Sequence, residues 1–95
     1  MLAKFDGQCP ISGQEIIADK TEIEKYGGCW CIAEYANYEA KMAVAAEMIE
    51  QLGQFNDRRS RGLVVYWKRN NSMATLQDIR AHLERRLAQV AHRTA

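Results

Sequence analysis

The chain has 95 residues, 47% hydrophobic and 26% charged, with 13 Lys or Arg against 12 Asp or Glu for a formal net charge of +1. These values fit one small globular domain; with no run of about 18 apolar residues and no charged-then-apolar leader, neither a membrane span nor secretion is expected, and the cytoplasm is the expected compartment. The near-neutral total hides a division: residues 1–50 hold four Lys and nine Asp or Glu, a balance of −5, and residues 51–95 hold nine Lys or Arg and three Asp or Glu, a balance of +6, which points to an anionic partner for the second half or to antiparallel self-association.

Residues 2–5 read as a short strand, and Asp6-Gly7 as the turn into a tight knuckle, Cys9-Pro10-Ile11-Ser12-Gly13. The single proline supplies a fixed φ there, and Gly13 can take a positive one. Residues 15–18 are the next strand candidate. In residues 21–26, Ile23 is flanked by Glu22 and Glu24, which puts both carboxylates on the face opposite the isoleucine. Gly27-Gly28 is a hairpin turn, and Cys29-Trp30-Cys31-Ile32 returns as a strand. The expected product is a small antiparallel sheet of two to four strands, with an edge that is exposed unless a helix or partner covers it.

This order, a Cys-Pro-Ile-Ser-Gly knuckle, a Glu-Ile strand and a Gly-Gly-Cys-Trp strand running into a helix, resembles small zinc-ribbon and treble-clef domains over residues 1–35. The resemblance implies a β-knuckle scaffold. Cys9 falls at the first ligand position of such domains, but Ser12 stands at the second, and Ile32 and Tyr35 stand where a His or Cys pair is usual. A tetrahedral structural zinc needs four donors, so these exchanges argue against the metal, and no cofactor is expected. Three cysteines are an odd set for a disulfide framework, and reduced thiols are the simpler expectation. Cys9, Cys29 and Cys31 are then small buried apolar residues; the alternative is that they converge on a metal with His82 or His92.

A helix is expected over residues 36–53. Tyr35, Tyr38, Met42, Ala45, Ile49 and Leu52 recur at intervals of three and four and form one stripe, which either covers the sheet or makes a seam between two copies of the chain. Gly53 is a natural terminator. Residues 54–62 form a polar connection. Residues 62–69 are rich in β-branched and aromatic side chains and read as a strand, with Leu63, Val65 and Trp67 on one face and Val64, Tyr66 and Lys68 on the other. A final helix is expected over residues 75–92, opened by a capping box of Thr75 and Asp78 and carrying the stripe Leu76, Ile79, Leu83, Leu87 and Val90. With no second helix beside it, a helix-turn-helix is not expected. The fold class is α+β, a single domain over residues 1–95 in the order ββ(β)-α-β-α.

No enzyme is expected: His82 and His92 lie far in sequence from a Cys or Ser that would pair with them, and no phosphate-cradling Gly-rich loop occurs. The strongest functional signal is Arg-Arg-Ser-Arg-Gly-Leu-Val-Val-Tyr-Trp-Lys-Arg, beginning at Arg58. Arg58, Arg59, Arg61, Lys68 and Arg69 can neutralise phosphates and Tyr66 can stack on a base, which is the chemistry of nucleic-acid binding. Zinc-ribbon-like modules often serve nucleic-acid transactions, which the resemblance also implies. The rival expectation is a protein-interaction module, a homodimeric adaptor or inhibitor, that uses the helix stripe and the sheet edge or meets an acidic protein surface. No membrane partner is expected.

Overall fold

A computed structural model describes residues 1–94 of the chain and the side chains of residues 1–92. Strands come first and helices follow: β1 (Gly7–Gln8), β2 (Glu15–Ile16), β3 (Ile23–Tyr26), β4 (Cys29–Ile32), a 3-10 turn (Ala33–Tyr35), α1 (Tyr38–Leu52), α2 (Arg58–Arg69) and α3 (Met73–Thr94). The class is α+β. The chain divides into two units, Met1–Ala45 and Ala46–Ala95, with the border inside α1.

The first unit holds two separate antiparallel hairpins. β1 and β2 pair with Gly7 opposite Ile16 and Gln8 opposite Glu15. The knuckle between them closes through the Gly13 amide on the Cys9 carbonyl at 2.8 Å, with Gly13 at φ 75°. In the second hairpin Tyr26 faces Cys29 and Ile23 faces Ile32, so Gly27 and Gly28, at φ 58° and 79°, make the whole connection. A two-residue turn with both φ values positive matches the twist of the flanking strands and costs glycine little. The strand expected over residues 2–5 is reduced to one bridge between Leu2 and Glu22. Its partner segment curls away there: Asp19 sits at φ 64°, and the Lys20 and Thr21 amides both bond back to the Ile17 carbonyl. Cys9, Ile11, Ile16, Ile23 and Cys31 are the main buried apolar residues of these hairpins.

α1 starts two residues later than expected because Asn37 caps it, its Oδ1 accepting the Ala40 amide at 2.8 Å. Tyr35 ends the 3-10 turn that precedes the helix.

The largest departure is at residues 62–69, where the expected strand is the body of α2 and the expected polar connection supplies the first turn of that helix. Strand preference for Val, Tyr and Trp spans only about 1 kcal/mol and depends on having sheet neighbours. The helix instead gains a cap and a buried face. Ser60, Leu63 and Trp67 are buried at spacings of three and four, while Val65 is 52% and Tyr66 49% exposed. Asn70, at φ −145°, stops the helix.

α3 also begins earlier than expected. Ser72, rather than Thr75, is its cap: the Ser72 Oγ accepts the Thr75 amide at 3.2 Å, and the Ser72 carbonyl accepts the Leu76 amide at 3.1 Å. Thr75 is buried in the first turn. Leu76, Ile79 and Leu83 are buried as the stripe implies, and Leu87 and Val90 are exposed. α2 and α3 pack on each other across the Asn70-Asn71-Ser72 connection, so α3 does have a helix beside it.

Gly62 lies in the interior of α2, and a Cβ built there meets nothing within 4 Å. Gly62→Ala should therefore stabilise the protein by about 0.5–1 kcal/mol through lower backbone entropy in the unfolded chain. Thermal unfolding followed by circular dichroism should show a midpoint raised by roughly 2–8 °C. A lowered midpoint would contradict a helix through residue 62.

Candidate functional site

The site is built on α2, and its construction begins one residue before the helix. Asp57 has extended backbone, and its Oδ2 accepts the Ser60 amide at 3.0 Å while its Oδ1 accepts the Ser60 hydroxyl at 2.7 Å. The Ser60 Oγ also lies 2.9 Å from Nε2 of His82 on α3. A serine hydroxyl has one proton, and here it is donated to the Asp57 carboxylate, so Nε2 carries the hydrogen that reaches Ser60. Arg86 completes the cluster, with Nε 3.5 Å from Asp57 Oδ1 and its guanidinium 5.0 Å from the centre of the Phe55 ring. Ser60 and His82 are both buried. His82, which lies 22 residues from Ser60 in sequence, is a tie between two helices.

Serine, histidine and aspartate in contact suggest a nucleophile and its base, but the geometry is different. A catalytic imidazole accepts the hydroxyl proton and uses its other ring nitrogen to bind the carboxylate. Here the serine donates directly to the carboxylate, Asp57 approaches the same Nε2 at 3.5 Å, and Ser60 is only 1% exposed. The trio caps α2 and sets its rotation against α3. The Ser60 hydroxyl, then its amide, hold the Asp57 carboxyl well below its ordinary value of 3.8, at about 2, with the Arg86 charge adding to the effect.

With Ser60, Leu63 and Trp67 turned inward, the other side of α2 faces solvent. Arg58, Arg59, Arg61, Tyr66, Lys68 and Arg69 are all exposed, and α2 contains no acidic residue. All six residues expected to contact nucleic acid therefore share one helical face, rather than being divided between a loop and the two sides of a strand. Arg58, Arg61, Gly62, Val65, Tyr66 and Arg69 line a shallow groove of about 440 Å³ along it. The Tyr66 hydroxyl accepts a hydrogen bond from Asn70 Nδ2 at 3.1 Å, which anchors the ring at the end of the helix.

The stripe of Tyr35, Tyr38, Met42, Ala45, Ile49 and Leu52 is not brought together as an open seam. Ala45 and Leu52 are buried, Met42 and Ile49 are half-buried, and the Tyr35 hydroxyl, in the 3-10 turn, accepts a hydrogen bond from Gln14 Nε2 at 3.3 Å. Tyr38 is exposed, with the Lys41 ammonium 5.4 Å from its ring centre and 5.6 Å from that of Tyr26.

In the knuckle, Cys9 Sγ accepts the amides of Ser12 and Ile32, each at 3.4 Å. Burial pushes the Cys9 thiol up, but the hydrogen bonds from Ser12, Ile32 and Ile11 together outweigh it and leave the thiol below its ordinary value. Burial, reinforced by the charges of Cys9 and Cys29, pushes Cys31 up to about 11. Among the described residues no group of three or more His, Cys, Asp or Glu is placed to hold a metal ion. Nor is any helix among them long and apolar enough to cross a membrane. No family model matches the chain, and no curated protein or solved structure is significantly similar to it.

Ser60→Ala removes one side of the cap and the closer of the two oxygens facing the buried His82 Nε2–H, which should cost about 1–3 kcal/mol in urea unfolding. A change near zero would show that the cluster does not position α2. Because the folded Asp57 carboxyl binds a proton less readily than the unfolded one, its stabilisation is complete above the ordinary value of 3.8 and is withdrawn as pH falls from there through about 2. Asp57→Asn should flatten this acid limb in a series of denaturation midpoints against pH. An unchanged limb would place the acid sensitivity elsewhere.

Proposed function

We propose that the protein is a non-enzymatic nucleic-acid-binding module that grips phosphates with the outer face of α2. The observation that carries this reading is the placement of five cations, Arg58, Arg59, Arg61, Lys68 and Arg69, with Tyr66 and no carboxylate, on the exposed face of one 12-residue helix. Among the described residues no salt bridge engages any of the five, so their charge is available to a ligand.

Helix stability does not account for the arrangement. Lys68 and Arg69 suit the negative end of the helix dipole, but Arg58 and Arg59 sit at its positive end, where each cation is unfavourable by about 0.3–1 kcal/mol. An external polyanion offsets that cost, because the dipole and the arginines both attract the same phosphates. Self-association through the α1 stripe draws less support, since Ala45 and Leu52 are buried within the chain itself.

In titrations of a labelled oligonucleotide at rising salt, five phosphate contacts should give a log–log slope of about −4 to −5. The double substitution Arg58→Ala and Arg59→Ala should make that slope shallower by about 2 without disturbing the buried face of α2. No binding at low salt would overturn the proposal.

A further inference from the structure

Resting on that reading, we infer that the nucleic acid is duplex DNA, with α2 lying in its major groove and Gly62 at the point of closest approach. At 3.6 residues per turn, Arg58, Gly62, Val65 and Arg69 fall along the centre of the exposed face, within an arc of about 60°. Arg61 and Lys68 lie about 60–80° to one side of Arg58, and Tyr66 and Arg59 about 80–100° to the other. The face thus has cationic flanks on both sides of a central strip, and the middle of that strip carries no side chain at Gly62 and a short apolar one at Val65.

This cross-section matches a groove with a phosphate wall on each side. The major groove of B-form DNA is about 12 Å wide and accepts a helix whose diameter with side chains is about 10–12 Å. Arg61 and Lys68 face one phosphate strand and Arg59 the other. On the centre line Val65 faces the groove floor, where it can touch a thymine methyl, and Arg58 and Arg69, at the two ends of the helix, reach the phosphates that border the groove there. The groove of about 440 Å³ on the helix face runs over Gly62, and the open space above it lets the helix backbone come near the base edges.

Other nucleic acids fit less well. Single-strand binding uses several aromatic platforms in succession, and this face has only Tyr66, held by Asn70. The major groove of A-form RNA is too deep and narrow for side chains to read.

The test measures the affinity of the full chain for three labelled probes of one sequence: a DNA duplex of about two helical turns, its single strand and the RNA duplex. The DNA duplex should bind at least about tenfold more tightly than either of the others, and Gly62→Leu should weaken duplex binding by about tenfold while leaving the circular dichroism spectrum and the salt slope unchanged. Val65→Glu, on the same exposed strip, should weaken duplex binding by at least as much. Equal affinity for the three probes, or duplex binding by Gly62→Leu and Val65→Glu at the level of the parent, would overturn groove insertion while leaving the cationic face intact. Absence of binding to all three probes would overturn the cationic-face reading as well.

Discussion

The hydrogen-bonded tie of Asp57, Ser60 and His82 decides how α2 is turned, and the rest of the second unit follows from that rotation. A helix with Ser60 fixed inward by an imidazole from α3 must also bury Leu63 and Trp67, the next residues along the same line. Everything about half a turn away must then face water, and those residues are the cations. The same contacts satisfy the Ser60 amide at the helix start and give the buried Ser60 hydroxyl and His82 Nε2 hydrogen-bond partners. One small polar cluster therefore serves as cap, interhelix tie and rotational stop.

The electrostatics of the second unit follow from the same division. Arg86 is drawn to Asp57 and lies over Phe55, which takes it out of the solvent-facing set. Asp57, the residue just before the cationic helix, is occupied by Ser60, Arg86 and His82. The five cations of α2 are left with no neutralising partner on their own helix, and Arg58 and Arg59 add to the positive end of the helix dipole. In the first unit the corresponding organising atom is Cys9 Sγ, which gathers amides from the knuckle and from the end of β4. That is how a loop of this shape can close on itself through a single thiol.

The sequence was most legible where structure is set by local chemistry. Gly27-Gly28 and Gly13 occupy the positive-φ positions that their turns require, the helical period of α1 is present, and Leu76, Ile79 and Leu83 are buried as their spacing implies. Residues 62–69 were misread because Val, Val, Tyr and Trp in succession favour a strand, and the burial of Ser60, Leu63 and Trp67 at intervals of three and four is visible only once Ser60 counts as an inward residue. An aspartate three residues before a serine, ahead of an apolar period, was the available clue to the start of α2. The start of α3 was displaced for a related reason: Ser72 with Thr75 and Thr75 with Asp78 are overlapping caps, and the stop at Asn70 leaves room for the earlier one. The cationic set survived the change of element because its residues are defined by composition, and a helix gathers them onto one face more completely than a strand and loop would. The pairing of His82 with Ser60 spans 22 residues, and no local pattern encodes it.

The most direct measurement is the change in backbone amide resonances of the full chain as duplex DNA is added. Binding through the outer face of α2 predicts the largest shifts at Arg58, Arg61, Gly62, Val65 and Arg69, recurring every three or four residues, with helical carbon shifts across residues 58–69 in the free protein. Shifts concentrated at Tyr38, Met42 and Ile49, or extended-chain carbon shifts through residues 63–69, would contradict it.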